Sequence, residues 1–372
     1  MSTIYIISDF GKLVKNGNVL QLKKENDVLK TIFPFKTEQI VVIGKIDLTG
    51  SALRLLMHYN INIIFLGSNG RFNGRINFRE GKNIFLRKKQ FMLLDDEKFA
   101  LNISKYIVKA KLHNQYNFMQ RIKRKTDYFN MIKKPLEKMQ SIMQLVNDAE
   151  NTNQLRGYEG IGAKHYFDAF KYAIMPEWAV FNCRSRMPPK DNVNAVLGFL
   201  YTLLLYKVDS AVEISGLDNY VGYFHALDYG RSSLTLDLME EYRTPIVDTL
   251  TVSLFNLGIL QKDDFQEVNF NPDNDDLPMP VEKIENKDAP DFQNCQNNDL
   301  DNVITNDVKG ILLTKEGIKK VIGQFEKKLD TSIYFNNLGK NITYKELFLE
   351  QAQQFKRVVN GEESEYKPLM VR

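Results

Sequence analysis

The chain has 372 residues, of which 43% are hydrophobic and 26% charged, with a formal net charge of +4. That length suits two or three domains with substantial cores, and no run approaches the roughly 18 consecutive apolar residues of a membrane span, which excludes an integral membrane protein from the expectations. The opening stretch MSTIYIISDFGKL lacks the basic and apolar regions of a secretory signal, and two distant cysteines, Cys183 and Cys295, predict no disulfide or metal framework, so the expected compartment is the cytoplasm.

Residues 1–80 read as a small β-rich domain. Thr3 to Ser8 is a β-branched run, and Leu13 to Leu20 is an Asn-Gly hairpin at Asn16-Gly17 between alternating residues. Gln39 to Gly44 and Asn62 to Leu66 predict two more strands, with helical spacing over Leu48 to Tyr59 between them and a last strand near Arg75 to Phe78. The turn Gly67 to Gly74 is glycine-rich but lacks the Gly-Lys-Ser/Thr ending of a phosphate loop.

From residue 84 the period becomes helical and stays so to residue 372. Phe99 to Tyr128 is a long amphipathic helix rich in basic residues, among them Lys105, Lys109, Lys111, Arg121 and Lys123. Further helices are predicted at 135–149, 159–173, 191–214, 232–257, 314–330 and 344–359. Residues 263–308 carry four prolines amid Asn and Asp, which predicts a disordered acidic insert. The fold class expected is therefore α+β, a β-rich domain followed by a larger all-α domain.

Charge is unevenly spread. Residues 1–140 hold 26 basic against 11 acidic side chains, while Asp263 to Asp307 holds 13 acids with only Lys283 and Lys287. A basic core masked by one acidic insert suggests a polyanionic partner, nucleic acid first, although lysine-rich surfaces also arise without one.

No HExxH, CxxC, GxSxG or GxGxxG motif occurs, which removes support for zinc hydrolase, serine esterase and dinucleotide-binding readings. The cluster from Gly222 to Glu241 is more informative. Gly230 breaks the chain after His225, and Ser232 or Ser233 can cap a helix on which Asp237 and Glu240 share a face. One imidazole beside carboxylates suits Mn²⁺ or Mg²⁺, and an ordinary polar helix face has the same spacing. Glu159 lies between Gly157 and Gly160 where a helix is expected to start, so it reads either as a ligand-facing acid or as a first-turn carboxylate. Arg184, Arg186, Pro188 and Pro189 precede a capped helix, a positive entrance suited to phosphate or simply a well-capped turn.

Five stretches occur in a fixed order: Ile-Ser-Asp-Phe-Gly-Lys-Leu at 7–13, Leu-Arg-Gly-Tyr-Glu-Gly-Ile-Gly-Ala-Lys at 155–164, Arg-Ser-Arg-Met-Pro-Pro-Lys-Asp at 184–191, Gly-Leu-Asp-Asn-Tyr-Val-Gly-Tyr-Phe-His at 216–225, and Gly-Arg-Ser-Ser-Leu-Thr-Leu-Asp-Leu-Met-Glu-Glu-Tyr-Arg at 230–243. Together they resemble the CRISPR-associated endonuclease-integrase, the catalytic subunit of the spacer-acquisition complex (the Cas-one family). The resemblance implies an N-terminal β domain that makes a homodimer, an α-helical catalytic domain, and a Mn²⁺ or Mg²⁺ site formed by Glu159, His225 and Glu240. Asp237 is the competing acid. It also implies that Lys164, Arg184, Arg186, Asn194 and Arg231 face DNA phosphate. Met187 stands where many relatives carry a third basic residue.

The activity so implied is insertion of short DNA fragments into a CRISPR array by attack of a 3′-hydroxyl on a phosphodiester. Double-stranded and branched DNA are the implied substrates. A small ferredoxin-like adaptation protein (the Cas-two family) is the implied partner in a heterohexamer, with no membrane. A structure-specific nuclease or resolvase on branched DNA, and a non-catalytic nucleic-acid scaffold, are the alternatives.

Overall fold

The computed structural model describes residues 2–67, 72–78, 83–125, 128–185, 188–270 and 308–371. The chain opens as a six-stranded sheet. β1 (Ser2–Asn16), β2 (Val19–Lys24) and β3 (Asp27–Ile32) form an antiparallel meander. β4 (Thr37–Leu48) pairs in parallel with β1 and with β5 (Asn62–Leu66), and β6 (Phe72–Ile76) closes the edge antiparallel to β5. Asn16 faces Val19 across the hairpin and Gly17 takes φ +57°, which the Asn-Gly pair supplies at little cost. β3 has no counterpart among the sequence-predicted strands, because five of its six residues are exposed and show no alternation.

Helix α1 (Gly50–Tyr59) carries the chain from β4 to β5 and is capped by Thr49, whose hydroxyl accepts from the Ala52 N–H at 3.2 Å. Ile40 and Val42 of β4 share a core with Leu55 and Leu56 of α1, whereas Val41 and Ile43 join the core of the helical domain. Burial on both faces is why this strand reads as an unbroken apolar run. Polar bonds also tie the two parts together. Tyr5 donates to Glu326 Oε1 at 2.8 Å, and Lys207 Nζ lies 2.9 Å from the same carboxylate and donates to Thr3 at 2.7 Å.

The helical part comprises α2 (Ile84–Met92), α3 (Glu97–Lys125), α4 (Phe129–Leu145), α5 (Thr152–Phe170), α6 (Asn192–Ser215), α7 (Ser233–Tyr242) and α8 (Thr249–Asn256), followed by α9 (Lys315–Leu329) and α10 (Tyr344–Asn360). Among the described residues α6 alone is long and apolar enough to cross a membrane, and most of it is buried inside the protein. A helix apolar on all sides is a core helix here. The helix expected over 232–257 is interrupted by a π-helical turn, Arg243–Asp248. Pro245 has no N–H to donate, so regular i→i−4 bonding fails there.

The acidic insert is not loop throughout. Its ends form β7 (Phe265–Phe270) and β8 (Val308–Leu313), paired antiparallel, and 271–307 lie outside the described residues. Phe265 stacks 6.0 Å from Phe255 and lies 6.0 Å from Trp178, an apolar anchor that the surrounding acids hid in the composition. β9 (Ser332–Phe335) and β10 (Lys340–Thr343) form a short hairpin between α9 and α10. Cys183 is disulfide-bonded, a correction to the sequence reading, and Cys295 lies outside the described residues.

Candidate functional site

Glu159 lies in the middle of α5 and not at its start. The helix begins at Thr152, where the Asn151 side chain accepts from the Gln154 N–H at 2.9 Å, so the first-turn reading fails. Gly162 faces α3, and a Cβ there would lie 2.4 Å from Leu112 Cδ2. The missing side chain lets the two helices close together at the level of Lys111.

The second acid comes from α7, which is buried along its whole length. Asp237 and Glu240 share a face but have different surroundings. Asp237 Oδ2 accepts from the N–H groups of Tyr223 at 2.7 Å and Phe224 at 3.0 Å. Its Oδ1 accepts from the His225 N–H at 2.9 Å and from His225 Nδ1 at 2.7 Å. Four donors use the acceptor capacity of the carboxylate, and the side chain is fully buried. Of the two competing acids, Asp237 is thus the one that holds His225. With Nδ1 committed to Asp237, Nε2 is the ring nitrogen left to face the site, 3.7 Å from Glu240 Oε1.

Neighbouring residues fix this loop. Arg156, three residues before Glu159 on α5, donates from Nε and Nη2 to the Phe224 carbonyl at 3.0 and 2.8 Å. A Cβ at Gly222 would meet the Ser233 carbonyl carbon at 2.5 Å, so the loop presses directly on the start of α7. Neither serine caps α7 as expected. Ser232 makes no side-chain cap bond, and Ser233 donates instead to the Ala226 carbonyl at 3.0 Å.

At the centre stands Lys111, which sequence reading left within a basic strip. Its Nζ lies 2.6 Å from Glu159 Oε1 and 2.6 Å from Glu240 Oε2. Glu240 Oε1 accepts from Arg243 Nε at 2.9 Å, while Oε2 is buried against the Lys111 ammonium. Burial pushes the Glu240 carboxyl up, but Arg243, Lys111 and His225 outweigh it and hold it down at about 2. Burial likewise opposes the Lys111 charge, and Glu159 and Glu240 still raise its pKa.

Among the described residues, no three His, Cys, Asp or Glu side chains are grouped closely enough to hold a metal ion as they stand. Two carboxylates nonetheless point at one cationic position, the Lys111 ammonium, and His225 Nε2 lies 3.7 Å from the other oxygen of Glu240. That donor set fits Mn²⁺ or Mg²⁺.

The residues expected to face DNA divide sharply. Lys164 is exposed on α5. Arg184 turns inward, donating from Nη1 to the Ser185 carbonyl at 2.6 Å and to Asn194 Oδ1 at 2.9 Å, with its guanidinium 5.5 Å from the Tyr201 ring centre. Arg243 lies 4.9 Å from the same ring. Asn194 is fully buried, donates to the Cys183 carbonyl and Asp191 Oδ2 at 2.8 and 2.6 Å, and accepts from the Ser185 N–H at 3.0 Å. Its side-chain partners belong to the capped turn. Arg231 is 1% exposed. Arg186 and Met187 lie outside the described residues. Polar residues at a cap and polar residues at a surface look alike in sequence, and the burial of Asn194 and Arg231 is not legible there.

Residues 4–270 match the family described as CRISPR associated protein Cas1. The chain belongs to that family. It is similar to the CRISPR-associated endonuclease Cas1 3 of Thermus thermophilus, 28% identical over 374 residues that span 100% of this chain and 98% of the relative. To the CRISPR-associated endonuclease Cas1 of Leptospira interrogans it is 40% identical over 187 residues, 49% of this chain and 73% of the relative. The Cas1 fold is shared with a CAS1 protein from Thermotoga maritima, with TM-score 0.76, 22% identity, and coverage of 98% of this chain and 99% of that one. A casposase bound to integration product has TM-score 0.76 and 20% identity, covering 100% and 95%. A chain of a Cas6-RT-Cas1–Cas2 complex has TM-score 0.79 and 22% identity, covering 100% of this chain and 36% of that one.

Proposed function

We propose that the chain is a divalent-metal-dependent DNA endonuclease-integrase of CRISPR adaptation. It joins the 3′-hydroxyl of a short DNA fragment to a phosphodiester of the array. The observation that carries this reading is the approach of Glu159 Oε1 and Glu240 Oε2 to one cationic position, with His225 Nε2 3.7 Å from the other oxygen of Glu240. Family membership and curated relatives named as endonucleases support it.

Glu159, Glu240 and His225 are the residues that would hold Mn²⁺ or Mg²⁺, and the ion when bound polarises the phosphate and stabilises the leaving alkoxide. The other contributions come from the chain itself. Asp237 fixes the His225 ring through Nδ1 and holds the backbone N–H groups of Tyr223, Phe224 and His225. Arg243 engages Glu240 Oε1 and so presents Oε2 to the site. Arg156 clamps the carbonyl before His225 to α5. Lys164 offers an exposed cation on the same helix as Glu159 for the DNA backbone.

Two ends are joined in integration, which calls for two such sites at fixed separation. A homodimer through the β domain supplies them in this reading, and exposed Phe10, Val28, Leu29, Phe33 and Phe35 support that interface. A small ferredoxin-like Cas2-type protein bridging two dimers would complete a heterohexamer. The fold-level likeness to a chain of a Cas6-RT-Cas1–Cas2 complex is consistent with that partner.

The test uses purified protein on branched DNA with a free 3′ end, in Mn²⁺ or in EDTA, beside Glu159→Gln and Glu240→Gln. Strand joining that needs the metal and falls at least about 100-fold in both variants is the expected result. Cleavage without joining would favour a resolvase, with water as the nucleophile at the same site. DNA binding without chemistry in any metal would leave a non-catalytic scaffold.

A further inference from the structure

Lys111 is the one charged side chain of the site for which the proposed chemistry gives no task. Its ammonium is 2.6 Å from an oxygen of each carboxylate, and its side chain is only 12% exposed. We propose that Lys111 is an internal counter-ion for the metal position: it holds Glu159 and Glu240 together without metal, is displaced when a divalent ion enters, and then pairs with the phosphate of bound DNA. Metal and DNA binding are thereby coupled. This rests on the reading of Glu159 and Glu240 as metal ligands.

Three observations carry the inference. Mn²⁺ and Mg²⁺ hold carboxylate oxygens at roughly 2.0–2.3 Å, so an ion between Glu159 Oε1 and Glu240 Oε2 takes nearly the point where Lys111 Nζ sits. Two cations cannot share it. Among the described residues, Glu240 Oε2 meets the Lys111 ammonium and no other donor, so a divalent ion there displaces no second partner from that oxygen. Finally, Leu112 is packed against the bare face of Gly162, which holds the α3 backbone in place. Displacement is therefore a swing of the flexible four-carbon lysine stem and leaves the ammonium close by.

Charge counting gives the direction of the coupling. Glu159 and Glu240 balance Lys111 and Arg243 in the structure as it stands. A divalent ion adds two positive charges, and a phosphodiester beside the displaced ammonium offsets part of that excess. Linkage makes the effect reciprocal, so DNA tightens metal binding as much as metal tightens DNA binding.

The experiment is Mn²⁺ titration of the intact protein by calorimetry, with and without a branched DNA whose 3′ ends are dideoxy-terminated, so that no reaction occurs. Without DNA, Lys111→Met binds Mn²⁺ at least about tenfold tighter than wild type, because the competing charge is gone. Lys111→Arg, which keeps a cation there, stays near wild type. DNA raises the wild-type Mn²⁺ affinity by about tenfold and that of Lys111→Met by less than about twofold. Circular dichroism melts confirm folding, and Lys111→Gln serves as the second neutral variant. Neutral variants that bind Mn²⁺ no tighter than wild type, or that gain as much from DNA, overturn the proposal. If Glu240→Gln loses Mn²⁺ binding in the same series, only the role of Lys111 has failed. If Glu240→Gln binds Mn²⁺ like wild type, the metal reading itself has failed and the role of Lys111 with it.

Discussion

Asp237 grips His225 twice, through the ring Nδ1 at 2.7 Å and through the backbone N–H at 2.9 Å, both on the same Oδ1. The other oxygen takes the two preceding N–H groups. Ring orientation, tautomer and loop path therefore depend on one carboxylate from α7. Asp237→Asn keeps the shape but turns one acceptor into a donor facing N–H groups. The expected outcome is a loss of about 10–100-fold in metal-dependent strand joining with about 1–3 kcal/mol of stability. Strand-joining rates beside urea unfolding check it, and unchanged values in both would show that Asp237 does not position His225.

Glycines near the site fall into two kinds. At Gly222 an added Cβ would meet the backbone of Ser233 and Leu234 at 2.5 and 2.7 Å, and neither can step aside. Gly222→Ala should cost about 3 kcal/mol and push His225 away from α7. Gly157, inside α5, has nothing within 4 Å of its missing Cβ. Gly157→Ala should instead raise stability by about 0.5–1 kcal/mol through helix propensity. Thermal melts of the pair distinguish close packing from chance glycine usage, since equal effects would deny the difference.

Local patterns carried most of the fold and little of the site. The Asn16-Gly17 hairpin, the run Ile40 to Ile43 and the uniformly apolar α6 each announce themselves within a few residues, because period and turn chemistry are local. β3 was silent because its face is exposed, and β9 and β10 because four-residue strands show hardly one alternation. Spacing marked Glu159, His225 and Glu240 as candidates alongside an ordinary polar helix face, and only the resemblance to a family joined them into one site. Their meeting point depends on the closeness of α3 and α5 at Gly162 and on the loop pressed to α7 at Gly222. Lys111 enters the site only through that crossing, so nothing in its neighbourhood along the chain marks it.

The separation of exposed Lys164 from buried Asn194 leads to opposite phenotypes. Lys164→Ala should leave stability within about 0.5 kcal/mol of wild type and weaken DNA binding, lowering the slope of log affinity against log salt by about 0.9. Asn194→Ala leaves the Ser185 N–H, the Cys183 carbonyl and Arg184 short of partners. It should lose about 2–3 kcal/mol and keep its salt slope while folded. Fluorescence anisotropy at four salt concentrations, with parallel melts, reads both. A lower salt slope in Asn194→Ala would return that residue to the DNA surface.

Glu240 and Glu241 are neighbours on α7 and are driven in opposite directions. Burial alone raises Glu240, yet Arg243, Lys111 and His225 bring it down from the ordinary 4.5 to about 2. Glu241 is raised by burial to about 7, with the Leu369 N–H, Tyr366 and Gln351 offsetting only part of it. A depressed carboxyl stabilises the fold above the unfolded value of 4.5, and this contribution fades as pH falls towards about 2. A raised one works the other way, its contribution being complete below 4.5 and lost as pH climbs through about 7. Wild type should therefore shed about 3 kcal/mol of unfolding free energy between pH 4.5 and 7 on account of Glu241. Glu241→Gln, which cannot ionise, removes that slope while keeping the pH response that Glu240 brings below 4.5. Urea unfolding from pH 4 to 8 in EDTA measures both curves, and parallel curves above pH 4.5 would mean that Glu241 is ionised in the fold throughout.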